Sequence, residues 1–289
     1  MIKYFFLLRV HHWSKNAFLF IPAFFAGILT DVGTFFLLVK GFIAFSLVAS
    51  AVYIFNDYRD RETDRNHPIK KNRPLASGKV SELSAIVLMV LLAAIGIAGG
   101  FYLNALFAYG LLGYLTINIL YSAGLKNVPL LDTMLISSGF LIRTLAGGWL
   151  AEVTVSQWLV IMVFLLSFFL AMAKRRDDLV LFQLGHAPLR HSSKKYTIEF
   201  VNTILALLSG VIIVSYIMYT ISDDVVQRLH TDYLYITSFF VFAGILRFLQ
   251  IAMVDQKSGS PTRILLTDLF IQVTLVGWIL SYIIIIYIL

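Results

Sequence analysis

Asn56-Asp57-Tyr58-Arg59-Asp60-Arg61-Glu62-Thr63-Asp64 follows directly on an apolar run that reaches back to residue 34. Ending a membrane helix in an amide and three aspartates is costly unless those groups bind something. At 3.6 residues per turn, Asn56, Asp60 and Asp64 share one face, with Asp57 about 100° round from Asn56. Carboxylates crowded onto one arc repel each other, and a hard divalent cation relieves the repulsion. Mg²⁺ takes one or two carboxylates plus the phosphate oxygens of a substrate. The stretch also carries Arg59, Arg61, Arg65, Lys70, Lys71, Arg73 and Lys79. Acids for a metal beside cations for phosphate, at a membrane surface, point to a site for a diphosphate substrate. Pro74, after Asn72-Arg73, stops any helix and sets the direction of Arg73.

Working outward, only 13% of the 289 residues are charged and 59% are hydrophobic. The mean hydropathy is +0.85. A soluble domain carries about 25% charged residues, so the chain reads as a polytopic membrane protein, a single domain over 1–289. The apolar stretch Tyr4–Leu8 is too short for the core of a secretory signal. Cysteine is absent, which excludes disulfides, thiolate metal sites and a cysteine nucleophile. The net charge of +7 reflects basic loops against anionic lipid rather than nucleic acid.

Apolar windows fall at about 16–30, 34–56, 82–101, 104–121, 130–150, 156–174, 197–221, 231–253 and 264–288. The expected fold is therefore an all-α bundle of nine transmembrane helices, since continuous rather than alternating runs exclude a barrel. Asn104, after Gly99 and Gly100, marks a tight turn between the third and fourth windows. The N-terminal segment and the loops after the second, fourth, sixth and eighth windows hold most of the Lys and Arg. The positive-inside rule puts these in the cytoplasm, with the C-terminus outside.

Further charges sit where lipid disfavours them. Lys174-Arg175-Arg176-Asp177-Asp178 closes the sixth window, and Arg190, Lys194 and Lys195 follow. A lipid anchor gains nothing from the two aspartates, whereas Arg suits planar bidentate recognition of phosphate. Arg143 lies deep in the fifth window, among glycines that allow helices to approach closely. Tyr121, Lys126 and Asp132 frame the preceding loop, where snorkelling, interfacial and capping roles compete with substrate contact. Arg9 and Lys15, before the first window, are within reach of a lipid phosphate, and Asp268 calls for a partner such as Arg247.

The motif Asn56-Asp57-x-x-Asp60-x-x-x-Asp64, with a second charged cytoplasmic loop after the sixth window, resembles the UbiA superfamily of intramembrane prenyltransferases over the whole chain. Arg9-x-x-x-Trp13-x-Lys15-Asn16, Asn72-Arg73-Pro74, Gly139-Phe140-Leu141-Ile142-Arg143, Lys174-Arg175-Arg176 and Ser260-Pro261-Thr262 resemble its decaprenyl-phosphate phosphoribosyltransferase branch. Members with aromatic acceptors carry Asp-x-x-x-Asp after the sixth window and Tyr-x-x-x-Lys after the fourth. Here those places hold Lys174–Asp178 and a Tyr121–Lys126 pair spaced by five. The resemblance implies transfer of 5-phosphoribose from phosphoribosyl pyrophosphate to a polyprenyl phosphate. It implies Mg²⁺ on Asn56, Asp57, Asp60 and Asp64, and phosphate contacts from Lys15, Arg73, Tyr121, Lys126, Arg143, Lys174, Arg175, Arg176, Asp177, Arg190 and Lys194. The competing expectations are an isoprenyl-diphosphate transferase with a small acceptor and a non-enzymatic lipid carrier. Ionisable residues gathered at one membrane face count against a translocation path.

Overall fold

The computed structural model describes residues 2–66, 70–185, 191–255 and 261–287, all helical or connecting and without a strand among them. The α-helices in chain order are α1 (Ile2–Leu8), α2 (Ile21–Phe25), α3 (Val32–Arg65), α4 (Glu82–Leu103), α5 (Ala105–Ala123), α6 (Leu131–Leu150), α7 (Gln157–Gln183), α8 (Ile198–Thr220), α9 (Asp223–Leu229), α10 (Ser238–Met253), α11 (Pro261–Thr267) and α12 (Leu269–Tyr287). Among the described residues, seven segments are long and apolar enough to cross a membrane: α3, α4, α5, α7, α8, Tyr233–Met253 and Leu269–Ile286.

Two of the nine expected spans differ. The window at 130–150 is indeed a helix, α6, but Asp132, Ser137, Ser138, Arg143 and Thr144 dilute its apolar character. The window at 16–30 is not one straight helix. A 3₁₀ helix runs over Val10–Phe20 and gives way to the single short turn of α2. Pro22 supplies no N–H and its ring crowds the carbonyl four residues back. Gly27, at φ 74°, then turns the chain away. Side-chain bonds tie the 3₁₀ segment to α3: Trp13 Nε1 donates to Ser50 Oγ at 3.0 Å, and Asn16 Nδ2 to Ser46 Oγ at 2.8 Å.

Capping sets several boundaries. Asp31 accepts from the Thr34 N–H at 2.7 Å and starts α3. Asn104 closes α4 through its own N–H to Gly100 O and opens α5 by accepting from the Phe107 N–H at 3.0 Å. With 34 residues, α3 is about 50 Å long, well beyond the roughly 30 Å hydrocarbon thickness. Its acidic last three turns therefore extend past the apolar layer.

The described chain packs as two compact units, residues 1–125 with 142–154, and residues 126–141 with 155–289. The core of the first joins Phe45, Val48 and Val52 of α3 to Phe107, Leu111 and Tyr114 of α5 and Leu150 of α6. A satellite cluster of Leu7, Ile54, Leu75, Val80 and Ala85 holds the loop after α3 against α1 and α4. The core of the second joins Phe169 and Met172 of α7, Leu205 and Ile212 of α8, Phe248 and Ile251 of α10, and Ile271 of α12. Leu83, Val87, Val90, Leu91 and Ile95 of α4 are exposed, an apolar face suited to hydrocarbon and not to water.

Of the glycines in the first unit, Gly147 of α6 leaves the least room for a side chain. A Cβ there would lie 2.0 Å from the Leu19 backbone oxygen. Gly147→Ala is expected to cost about 1–3 kcal/mol through forced backbone movement. A thermal midpoint in detergent equal to that of the unsubstituted chain would show that the two segments can part freely.

Candidate functional site at the end of α3

Seven residues make almost two full turns, so Asp57 and Asp64 lie about 20° apart on α3. Both are buried, and their carboxylates converge on one nitrogen. Arg73 Nη1 donates to Asp57 Oδ1 at 3.1 Å and to Asp64 Oδ2 at 2.6 Å. Arg9 Nη2 adds a bond to Asp57 Oδ1 at 2.5 Å, and Lys70 Nζ stands 4.0 Å from Asp64 Oδ1. Asn56 accepts through Oδ1 from the Ser122 hydroxyl of α5, which orients its amide. Asp60 is half-buried between them along the helix.

Arg73 reaches this point because its loop is folded rather than loose. Its N–H donates to Lys70 O at 2.9 Å, and its carbonyl accepts from the Ser77 N–H at 2.9 Å. Pro74, Leu75 and Ala76 are buried behind it, and the Val80 N–H closes the turn on Pro74 O at 3.1 Å. Other basic residues of the stretch face elsewhere. Arg61 bonds Glu82 at 2.7 Å at the start of α4 and lies over the Tyr58 ring, and Arg65 pairs with Glu62.

A second polar cluster of the same unit surrounds Arg143. Its Nε donates to Asn16 Oδ1 at 2.7 Å and its Nη2 to Tyr114 OH at 3.0 Å. The guanidinium lies 5.0 Å from the Phe45 ring centre and 4.6 Å from that of Tyr114, within cation–π range. Lys15 neighbours this cluster. Its side chain reaches solvent, yet the protein around its ammonium, followed by the charges of Arg143 and Arg9, pushes its pKa down to about 8. Tyr121 is half-buried near the end of α5.

In the second unit, Lys174-Arg175-Arg176-Asp177-Asp178 lies within α7 and is not its end, so the 100° step per residue sends neighbours in different directions. Arg175 is buried and bonds Asp132 Oδ2 through Nε at 3.0 Å and Nη2 at 2.9 Å, and Asp178 through Nη1 at 3.3 Å. Ser192 Oγ also donates to Asp132 Oδ2, at 2.9 Å. Arg176 is buried against Asn202 Oδ1 at 2.7 Å and Met253 O at 3.4 Å. Lys174 and Lys194 are exposed, while Asp177 and Lys126 are half-buried. Arg190 lies outside the described residues. Asp268 does meet Arg247, whose Nη2 donates to its Oδ2 at 2.7 Å.

Asn56, Asp57, Asp60 and Asp64 all offer hard oxygen donors, as Mg²⁺ requires. Among the described residues no three His, Cys, Asp or Glu side chains are gathered as a protein-only metal cage. Two carboxylates that converge on one cationic nitrogen nevertheless suit an ion that completes its shell with substrate phosphate and water. Asn16, Tyr114, Ser122, Ser192 and Asn202 hold the charged groups in place and were missed as site residues. Asn16 stands in the motif Arg9-x-x-x-Trp13-x-Lys15-Asn16, and the trace of the other four is polarity inside or beside apolar runs.

A model of the UbiA prenyltransferase family matches residues 19–272. A decaprenyl-phosphate phosphoribosyltransferase of Mycolicibacterium smegmatis is 34% identical over 244 residues, covering 82% of this chain and 76% of that one. A protein of the same name from Corynebacterium glutamicum is 31% identical over 289 residues, covering 97% and 86%. Among solved structures, a UbiA homologue of Archaeoglobus fulgidus bound to DMAPP and Mg²⁺ superimposes with a TM-score of 0.72 at 19% identity, covering 99% of this chain and 100% of that one.

The depressed Lys15 pKa has a measurable consequence. Above about pH 8 the unfolded chain holds this proton more firmly than the folded one, so stability rises with pH until the ordinary lysine range is reached. Below about pH 8 both states are protonated and the contribution is flat. The thermal midpoint of the unsubstituted chain should therefore gain on that of Lys15→Gln between about pH 7 and about pH 9.5. A constant difference across that interval would place the Lys15 ammonium in water rather than among protein atoms near Arg143 and Arg9.

Proposed function

The chain belongs to the UbiA prenyltransferase family, and from that premise we propose that it transfers 5-phosphoribose from phosphoribosyl pyrophosphate to a polyprenyl phosphate. The observation that carries the substrate assignment is the similarity, over most of both chains, to proteins named decaprenyl-phosphate phosphoribosyltransferase. The geometry at the end of α3 agrees with it. Asn56, Asp57, Asp60 and Asp64 would hold Mg²⁺, which when bound supplies positive charge for the departing pyrophosphate.

The bond between the anomeric carbon and pyrophosphate breaks, with its electron pair leaving on oxygen. An oxygen of the lipid phosphate forms the new bond from the opposite face, inverting the centre. The acceptor is already an anion near neutral pH, so positioning and electrostatics supply most of the acceleration and no strong base is required. Lys15, whose side chain reaches solvent, is suited to a substrate phosphate. Among the described residues, Lys174 and Lys194 are the predicted basic residues of the second unit whose side chains are exposed, and we assign phosphate contacts to them first. Arg175 and Arg176, buried on Asp132 and Asn202, would act by shaping the surface around those lysines. Arg143, held by Asn16 and Tyr114, would position the Lys15 segment. The distribution of basic residues supports placing the chemistry at the cytoplasmic face of a bacterial inner membrane.

Purified protein, Mg²⁺, polyprenyl phosphate and labelled phosphoribosyl pyrophosphate should give label in the organic extract. Turnover of an isoprenyl diphosphate with a small acceptor, and no such label, would replace this assignment with prenyl transfer.

Asp60→Asn and Asp64→Asn are each expected to lower this turnover by about two orders of magnitude or more, with the chain still folded by circular dichroism. Full turnover in both variants would remove these acids from the metal site.

A further inference from the structure

We infer that Arg73 is an exchangeable counter-ion, which pairs with Asp57 and Asp64 until a divalent cation and a diphosphate arrive together and then pairs with the diphosphate. The inference rests on the reading that a diphosphate binds at the end of α3.

Three observations support it. The first is the shared nitrogen: Arg73 Nη1 lies within hydrogen-bonding distance of both carboxylates, so a metal ion taking both would compete for the same oxygens. The second is local charge. The local balance is even: Asp57, Asp64 and half-buried Asp60 of the motif stand against Arg73, Arg9 and Lys70, three acids against three cations. A divalent ion added by itself would leave two positive charges in excess in a poorly solvated place. A diphosphate supplies the compensating negative charge, so metal and diphosphate favour each other's binding.

The third is exposure confined to the right atoms. The backbone of Arg73 is pinned on both sides by Lys70 and Ser77. Its side chain is 27% exposed, against 2% for Asp57 and 3% for Asp64. The carboxylates are enclosed, and the arginine is the partner whose side chain reaches solvent. Arginine also suits both states, since its planar fork bonds carboxylate and phosphate equally well. The arrangement explains why a cation placed for phosphate sits among acids placed for metal. Each neutralises the other until substrate separates them.

The exchange makes opposite predictions for two affinities. The full-length chain in detergent is titrated with Mn²⁺ alone, followed by the paramagnetic resonance signal of the free ion. Binding of labelled inorganic pyrophosphate is then measured by equilibrium dialysis with Mn²⁺ present. Relative to the unsubstituted chain, Arg73→Gln should bind Mn²⁺ alone about tenfold more tightly and pyrophosphate about tenfold more weakly. Arg73→Lys, which keeps a cation but loses the fork, should show both shifts at smaller size and serves if the glutamine variant does not fold. Two affinities that fall together would mean that Arg73 only supports the fold of the site, and two that stay unchanged would also overturn the exchange. An unsubstituted chain that binds neither Mn²⁺ nor pyrophosphate would overturn the diphosphate site itself.

Discussion

Asp57 and Asp64 are buried at the end of a membrane helix, and neither can remain ionised there without a cation at hydrogen-bonding distance. Arg73 and Arg9 meet that requirement, and much of the first unit is arranged to deliver them. The loop after α3 doubles back and buries Pro74, Leu75 and Ala76 so that Arg73 arrives from a fixed backbone. Arg9 stands in the left-handed region at φ 50°, at the junction of α1 and the 3₁₀ helix, where the chain changes direction towards α3. Losing one partner of such a pair leaves a buried charge uncompensated, which typically costs about 3–5 kcal/mol. Site and fold are therefore bound together at this point.

The second unit meets the same constraint in another way. Arg175 is buried in α7 and answered by Asp132 at the start of α6, with Ser192 completing the contact. Arg176, one residue on, is answered by the neutral amide of Asn202. Run together in sequence, Lys174-Arg175-Arg176 looks like one basic patch, but the helix divides it into one exposed cation and two internal ones. For an enzyme of this family the division is useful. In the proposed reaction, exposed lysines would offer charge to anionic substrates, while buried arginines would shape the surface that presents it.

Such a site has little covalent work to do. Both proposed substrates bring their own charge, and the acceptor oxygen is an anion before it reacts. Catalysis then depends on holding two sets of negative charge close enough to react while stabilising the charge that develops on the leaving group. Oxygen donors at the end of α3 and cations on rigid backbone meet that need. Membrane helices that continue past the hydrocarbon, as α3 does, place this polar chemistry where a water-soluble donor and a lipid-borne acceptor can both be reached.

The helical class, seven of the spanning segments and the acidic motif were legible from residue order, because hydropathy over some twenty residues and a 3.6-residue period are local properties. The Asn104 turn and the Arg247–Asp268 pair were legible for the same reason: each rests on a strong local preference or on an unavoidable need for a partner. The broken first span depended on Pro22 and Gly27, whose combined effect is settled by contacts with Ser46 and Ser50 of α3. What the sequence by itself determined is which groups are charged and which apolar runs they interrupt or flank. Only the tertiary structure decided which cation answers which acid, since partners such as Arg143 and Asn16 are 127 residues apart and meet through packing that no local pattern encodes.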